Sequence, residues 1–177
     1  MNQGKNNFIL WLMGPTSSGK TTIAEAFTIA TRKRSIPIIH YDGDEVRGFF
    51  GSDFGFAPVD RLKVVKTLGY LANKAAEAGS HVIVSALTAN PDTRKYVTEN
   101  LINGKIVYVK CPIEVCAARD PKGLYNRAKR GEISTLVGYN SVYIPPNDPA
   151  LVLDTGREGL EEVTEELENF FHSLISN

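Results

Sequence analysis

Gly14-Pro15-Thr16-Ser17-Ser18-Gly19-Lys20-Thr21 is the stretch of sequence that decides the fold. An apolar run at 8–13 precedes it, and a helix-like segment begins at Thr22. A buried strand, a G-x-x-x-x-G-K-T loop and a helix in this order are typical of a phosphate-binding loop, whose backbone N–H groups surround a polyphosphate. Lys20 can then reach the β- and γ-phosphates, and the Thr21 hydroxyl can bind Mg²⁺. We therefore predict that the whole loop, together with Thr22, binds the phosphates of a nucleotide.

The length, the charge balance and the cysteine content of the chain argue against several classes of protein. A chain of 177 residues fits one domain, which we expect to span residues 1–177. Its 20 basic residues balance 20 acidic ones, which argues against nucleic acid or a membrane surface as a partner. Cys111 and Cys116 are too few for a disulfide framework and lack the neighbours of a metal site, so we expect buried thiols. The run at 8–13 is too short to span a membrane and no signal-peptide pattern is present, so we expect a cytoplasmic protein.

Strands and helices alternate along the chain. Apolar runs predict strands at 8–13, 36–41, 81–86, 105–110 and 151–154. Helical spacing and helix start signals predict helices at about 19–33, 58–78, 91–101, 112–119 and 159–174. This alternation requires a mainly parallel sheet that is covered on both faces. The predicted fold class is α/β, a three-layer P-loop NTPase-type domain with a mainly parallel five-stranded sheet.

Two carboxylates follow the second predicted strand. Asp42 and Asp44 come where the strand at 36–41 ends, and ligands gather at the carboxyl ends of parallel strands. Asp44 can orient an acceptor hydroxyl and accept its proton, or it can hold Mg²⁺. Both residues can instead cap the short helix that follows, and the sequence leaves this alternative open.

A cationic segment at about 119–138 is a candidate lid. Its closure over the phosphates would exclude water, which is the competing acceptor. A GTPase is disfavoured because no Asn-Lys-x-Asp stretch is present, and a motor is disfavoured because the strand at 81–86 ends in Ser85-Ala86 and not in acidic residues. A kinase with a small acceptor fits best, whereas a nucleotide-binding regulatory protein without catalysis stays an alternative.

Four further motifs carry a family resemblance. They are Asp42-Gly43-Asp44-Glu45-Val46-Arg47, Asp53-Phe54-Gly55-Phe56-Ala57-Pro58-Val59-Asp60-Arg61, Arg119-Asp120-Pro121-Lys122-Gly123-Leu124-Tyr125 and Leu151-Val152-Leu153-Asp154-Thr155. Through them the chain resembles the adenylylsulfate (APS) kinases from about Ile9 to Thr155. The resemblance implies transfer of the ATP γ-phosphate to the ribose 3′-hydroxyl of adenosine 5′-phosphosulfate, giving 3′-phosphoadenosine 5′-phosphosulfate in sulfate activation. It also implies ATP and Mg²⁺ as cofactors, a nucleotide-linked small molecule as substrate and, by analogy, a homodimer.

The resemblance implies a role for each matching residue. Lys20 and Asp44 would be catalytic, and Asp44 would face the acceptor hydroxyl and share Mg²⁺ with Thr21. Guanidinium forks match tetrahedral oxyanions, so two arginines would bind the phosphosulfate or ribose side, while an aromatic ring would stack on the base. A lid lysine would reach the anionic groups. The implied acceptor-binding residues are Asp42, Arg47, Phe56, Arg61, Ser85, Lys122 and Leu136.

Several positions depart from the pattern of the family. Val64 replaces a polar acceptor contact, Thr67 replaces a cation, and Leu87-Thr88-Ala89-Asn90-Pro91-Asp92 replaces an aromatic-rich segment after Ser85. Leu136 replaces a ring that covers the second face of the adenine. Since these changes lie on the acceptor side, a related nucleotide-linked acceptor such as cytidine diphosphoramidate is the alternative substrate. We place APS first because the two arginines, the stacking ring and the lid lysine are all retained.

Overall fold

Five parallel strands form the sheet at the centre of the protein. The structure is a computed structural model that describes residues 7–51 and 54–176. The strands are β1 (Ile9–Met13), β2 (Ile38–Asp42), β3 (His81–Ser85), β4 (Gly104–Lys110) and β5 (Leu151–Asp154). Their order across the sheet is β2-β3-β1-β4-β5, and each of these pairings is parallel. The predicted α/β class and the predicted five-stranded sheet are confirmed.

Helices cover both faces of this sheet. Within the described ranges they are α1 (Lys20–Lys33), α2 (Gly43–Phe50), α3 (Pro58–Glu77), α4 (Pro91–Asn100), α5 (Ile113–Arg119), α6 (Leu124–Lys129) and α7 (Leu160–Ile175). Helix α6 lies inside the charged segment at 119–138, for which the sequence predicts no helix. Strand β2 begins at Ile38 and not at Ile36, because Pro37 has no N–H to donate to the ladder. The Pro37 carbonyl oxygen instead accepts a hydrogen bond from the His81 N–H at 2.9 Å.

Strand β1 contributes to both hydrophobic cores. All of its side chains are fully buried, and alternate side chains point to opposite faces of the sheet. Ile9, Trp11 and Met13 pack in the core that α3 and α4 cover, whereas Leu10 and Leu12 pack in the core that α1 and α7 cover. A continuous apolar run is what a central parallel strand requires, because it has no face in water. The phosphate loop is therefore attached to a strand that is fixed on both sides.

A smaller apolar cluster joins the candidate lid at 119–138 to the residues that follow β4. It contains Cys111, Cys116, Tyr125, Ala128 and Leu136. Both thiols are free and buried, as the sequence predicts. None of the helices in the described ranges is long and apolar enough to cross a membrane. A single domain over 1–177 stays a prediction, since residues 1–6, 52, 53 and 177 lie outside those ranges.

Candidate active site

The phosphate loop joins the carboxyl end of β1 to the amino end of α1. Gly14 is required where the loop passes β4, because a Cβ there would lie 2.3 Å from the Val109 carbonyl oxygen. Gly19 has a φ of 96°, a left-handed conformation that favours glycine, and α1 starts at the next residue. Thr155 Oγ1 donates to the Ser18 carbonyl oxygen at 2.8 Å and fixes the loop to the end of β5. The loop thus presents the N-terminus of a 14-residue helix, where anions are stabilised.

Lys20 folds its side chain over the phosphate loop. Its Nζ donates to the carbonyl oxygens of Gly14 at 3.0 Å and Pro15 at 2.7 Å. Burial lowers the pKa of Lys20 to about 8, and the charge of the nearby Asp44 carboxylate offsets this only in part. The ammonium group is therefore held at the loop without a directly bonded carboxylate, where its charge can act on phosphate oxygens.

The Asp42 carboxylate connects three elements of the site. Its Oδ2 accepts hydrogen bonds from Thr21 Oγ1 at 2.8 Å and from Ser85 Oγ at 2.6 Å. Its Oδ1 accepts from the backbone N–H groups of Asp44 at 2.8 Å and Glu45 at 3.2 Å. Burial alone would raise the pKa of Asp42, but these hydrogen bonds outweigh burial and hold the pKa below its ordinary value.

Asp42 thus caps α2 and also orients two hydroxyl groups. A carboxylate offers about four acceptor positions, and the chain itself occupies that number at Asp42. Of the two alternatives for this residue, the helix cap is confirmed. A direct contact between Asp42 and a substrate stays a prediction.

Asp44 and Lys122 form an ion pair between α2 and the lid. Lys122 Nζ lies 2.5 Å from Asp44 Oδ2. Burial would lower the pKa of Lys122, but the hydrogen bond and the charge of Asp44 raise it. The two side chains are 54% and 67% exposed, so both can contact a ligand that enters from solvent. The candidate lid therefore meets the carboxylate that is predicted to face the acceptor.

A buried tyrosine ties the lid to the phosphate loop. The Asp120 carboxylate accepts from the backbone N–H groups of Tyr125 and Asn126, each at 3.0 Å, and so fixes the start of α6. The Tyr125 side chain is 1% exposed. Its hydroxyl donates to the Thr16 carbonyl oxygen at 3.1 Å. The candidate lid is thus attached to the phosphate loop through Tyr125, and separately to α2 through Lys122.

Phe56 presents its ring to solvent between two arginines. The Cζ atoms of Arg47 and Arg61 lie 4.6 and 6.0 Å from the ring centroid, and Phe56 is 58% exposed. Arg61 Nη2 also donates to the Thr135 carbonyl oxygen in the lid at 2.9 Å. The structure therefore brings these three predicted acceptor residues together, and an exposed ring flanked by cations suits a base linked to oxyanions. Asp53 of the same motif lies outside the described residues.

Four of the positions that depart from the family pattern pack or bond within the protein itself. Val64 is buried in the core under α3, and Leu136 is buried in the apolar cluster that it forms with Cys111, Cys116 and Tyr125. Thr67 Oγ1 donates to the Lys63 carbonyl oxygen of its own helix at 3.0 Å. Asn90 is the N-cap residue of α4. Because Leu136 packs inward, its role in acceptor binding stays a prediction.

Two oxygen donors of the site suit Mg²⁺. They are the Thr21 hydroxyl and the exposed Asp44 carboxylate, and Mg²⁺ is commonly held by one or two carboxylates together with substrate phosphates and water. Among residues 7–51 and 54–176, no group of three or more His, Cys, Asp and Glu side chains could hold a metal ion by itself. The donor set therefore fits an ion that binds together with a nucleotide.

Comparisons with known proteins assign the family. The family model described as adenylylsulphate kinase matches residues 6–154. The chain belongs to the adenylylsulfate kinase family. It is 38% identical to the adenylyl-sulfate kinase of Bacillus velezensis over 170 residues, which are 95% of this chain and 86% of that protein. It is 36% identical to the probable adenylyl-sulfate kinase of Bacillus subtilis with the same coverage.

Solved structures agree with this assignment. An APS kinase of Mycobacterium tuberculosis, solved in complex with AMPPNP and APS, matches with a TM-score of 0.87 and 29% sequence identity. The match covers 94% of this chain and 98% of that chain. The predicted resemblance to the adenylylsulfate kinases is confirmed.

Three residues of this adenylylsulfate kinase family member contact the site although no site role is predicted for them. They are His40, Tyr125 and Thr155. His40 Nε2 lies 2.9 Å from Ser85 Oγ. Strand side chains alternate, so the spacing of His40 from Asp42 places both on one face of β2, and this signal could have identified it. Thr155 directly follows β5 at the edge where ligands gather, which is a similar signal.

Proposed function

We propose that this protein transfers the γ-phosphate of ATP to the 3′-hydroxyl of adenosine 5′-phosphosulfate, giving ADP and 3′-phosphoadenosine 5′-phosphosulfate. The observation that carries the proposal is the contact between Lys122 of the lid and Asp44 of α2, which brings a cation and a carboxylate to the mouth of a phosphate loop. Membership of the adenylylsulfate kinase family over residues 6–154 supports this reaction. The similar Mycobacterium tuberculosis kinase, solved with AMPPNP and APS, supports ATP as the donor.

On the donor side, the loop and Lys20 would hold the phosphates. Phosphoryl transfer needs mainly positioning and stabilisation of charge, and backbone N–H groups with an ammonium ion supply both. Thr21 and Asp44 would hold Mg²⁺, which when bound neutralises charge on the β- and γ-phosphate oxygens. Asp42 would keep the Thr21 hydroxyl oriented through their 2.8 Å hydrogen bond.

On the acceptor side, Asp44 would receive the proton of the attacking hydroxyl. Its carboxylate is held at the start of α2 because its own N–H bonds to Asp42 Oδ1 at 2.8 Å. Phe56 would stack on the base, and Arg47 and Arg61 would bind the sulfate, phosphate or ribose oxygens. With this division of roles, the ATP γ-phosphate and the acceptor hydroxyl would meet at Asp44.

The lid would exclude water from the reaction. Lys122 would turn from Asp44 to the anionic groups of the substrates, since an exposed ion pair of this kind has little net free energy to overcome. Tyr125 would keep the base of the lid attached to Thr16 while this happens. Exclusion of water matters because water competes with the ribose hydroxyl for the phosphoryl group.

The test is ADP release with Mg-ATP and a panel of acceptors: APS, cytidine diphosphoramidate, ordinary nucleotides, and APS with a 3′-deoxyribose. We expect Mg²⁺-dependent release with APS and none with the 3′-deoxy compound. Lys20→Ala should abolish release, and Asp44→Asn should reduce kcat by about 10²-fold or more, the usual range for a positioned acid–base group. Glu77→Gln is the matched control, because this carboxylate is exposed and pairs with Lys74 at the far end of α3.

The remaining outcomes distinguish the alternatives. Release with cytidine diphosphoramidate and not with APS would replace the acceptor and keep the kinase. ATP binding without turnover on any acceptor would favour a regulatory nucleotide-binding protein, and a preference for GTP over ATP would favour a GTPase. Wild-type turnover by Asp44→Asn would remove Asp44 from the acid–base role. A homodimer also stays a proposal, and sedimentation of the full chain tests it.

A further inference from the structure

His40 extends the polar network of the site across two strands. It lies on β2, next to β3, where Asp42 pairs with Ser85 in the parallel register. His40 Nε2 is 2.9 Å from Ser85 Oγ, and Ser85 Oγ is 2.6 Å from Asp42 Oδ2. Because Thr21 also donates to Asp42 Oδ2, a continuous path of hydrogen bonds runs from His40 to the phosphate loop.

The number of protons on Ser85 and Asp42 determines which group donates in each hydrogen bond of this path. Both oxygens of Asp42 accept hydrogen bonds, Oδ2 from two hydroxyls and Oδ1 from two backbone N–H groups, so the carboxylate acts only as an acceptor. Ser85 has a single hydroxyl proton, and the short contact to Asp42 uses it. Ser85 can therefore only accept from His40, and His40 Nε2 must carry a proton.

Burial determines which form of the imidazole does this. Burial lowers the pKa of His40 although Asp42, Glu25 and Glu45 each favour the charged form, and Arg32 adds to the lowering. The ring is accordingly neutral at pH 7, with its one N–H on Nε2.

We propose that His40 is a positioning residue of the phosphoryl-transfer site: by donating to Ser85 it aims the Ser85 hydroxyl at Asp42. The bond from His40 uses one lone pair of the Ser85 hydroxyl and holds it in the orientation in which its single proton points at the carboxylate. Asp42 in turn orients Thr21 through Oδ2 and Asp44 through Oδ1. The ring thus acts on the two groups assigned to Mg²⁺ without touching either substrate. This inference rests on the proposed kinase function.

Side-chain replacements separate this role from packing. His40→Leu keeps a side chain of similar size and removes the donor, whereas His40→Gln keeps a donor N–H at a similar distance from the backbone. Ser85→Ala removes the intermediate hydroxyl. His172→Leu is the control, because His172 lies near the end of α7 with Arg34, away from the site. Thermal unfolding of each variant establishes that it is folded.

Two readouts are measured on every variant. The first is the Kd of Mg-ATP without acceptor, and the second is kcat and KM with APS. For His40→Leu we expect a rise in Kd and a fall in kcat of about fivefold each, the effect of one net hydrogen bond, with the KM for APS unchanged. His40→Gln should restore both to within about twofold, since the donor is retained. In the Ser85→Ala background, His40→Leu should have no further effect.

Two results would contradict the proposed role of His40. If His40→Gln is as impaired as His40→Leu, or if the effects of His40→Leu and Ser85→Ala multiply, then His40 does not act by donating to Ser85. The Kd measurement keeps the two proposals apart. If the wild-type protein binds Mg-ATP but does not turn over APS, the proposed function fails, and the Kd values of the variants still decide the role of His40.

Discussion

Replacing Lys20 by methionine should abolish catalysis and make the ligand-free protein more stable. The structure holds the Lys20 ammonium against two loop carbonyls, and burial lowers its pKa from the ordinary 10.5 to about 8. An ammonium group whose pKa is lowered by burial costs free energy in the folded state at neutral pH, where it is still charged. Methionine has a similar length and no charge, so it removes that cost together with the function.

The size of the stabilisation follows from the pKa of Lys20 in the unfolded and folded states. The difference between 10.5 and about 8 corresponds to roughly 3 kcal/mol at neutral pH, because each pKa unit is worth about 1.4 kcal/mol. Loss of the hydrogen bonds to Gly14 and Pro15 returns about 1 to 2 kcal/mol of this. Lys20→Met should therefore raise the free energy of unfolding by about 1 to 2 kcal/mol, or the melting temperature by about 2 to 8 °C for a chain of this size.

The pH dependence of the free energy of unfolding tests whether the lowered pKa of Lys20 causes the expected stabilisation. Since the folded-state pKa lies below the unfolded one, the unfolded chain binds more protons between about pH 8 and pH 10.5, and wild-type stability rises with pH across this window. Lys20→Met lacks this rise, so its advantage should be full at about pH 7 and absent at about pH 10. The assay is denaturant unfolding at both pH values, with Lys95→Met on the exposed face of α4 as the control. A variant that is less stable at pH 7, or an advantage that does not change with pH, would refute the reasoning.

Two further variants test contacts of the lid and of the acceptor side. Tyr125→Phe removes the hydroxyl that donates to Thr16, so it should cost about 1 kcal/mol of stability and raise the KM for ATP, whereas exposed Tyr139→Phe should change neither; equal effects of both would show that the contact is not what matters. Phe56→Ala removes a ring that is 58% exposed, so stability should change by less than about 0.5 kcal/mol while the KM for APS rises about tenfold and the KM for ATP stays constant. An unchanged KM for APS would show that the ring does not stack on the acceptor.

The sequence predicts the parts of this molecule that are determined locally. The phosphate loop can be identified because its glycines are required by the backbone. Gly14 passes close to Val109, and Gly19 adopts a left-handed conformation. The alternation of apolar strands with helices determines the parallel sheet, and β1 shows why, since burial on both faces leaves no room for polar residues.

Contacts between residues that are distant in sequence cannot be predicted from local patterns. Nothing near Tyr125 in the sequence indicates that its hydroxyl reaches Thr16, and nothing near His40 indicates that β3 places Ser85 beside it. Asp42 shows a different limit: the pattern offers a helix cap and a site residue as alternatives, whereas the carboxylate has enough acceptor positions to cap α2 and orient Thr21 together.

The position of β1 in the sheet has a consequence for biosynthesis. Ile9 pairs with Val82 on one side and with Gly104 on the other, so the strand that is made first lies between strands that are made much later. At about 5 to 20 residues per second, the ribosome needs roughly 5 to 20 s to reach the end of β4 after β1. Until β3 has been made the run Ile9–Met13 has neither partner strand, and until β4 has been made it lacks one of the two, so it is a target for chaperones or for aggregation. The nascent chain therefore cannot form its nucleotide pocket until most of the sheet has been translated.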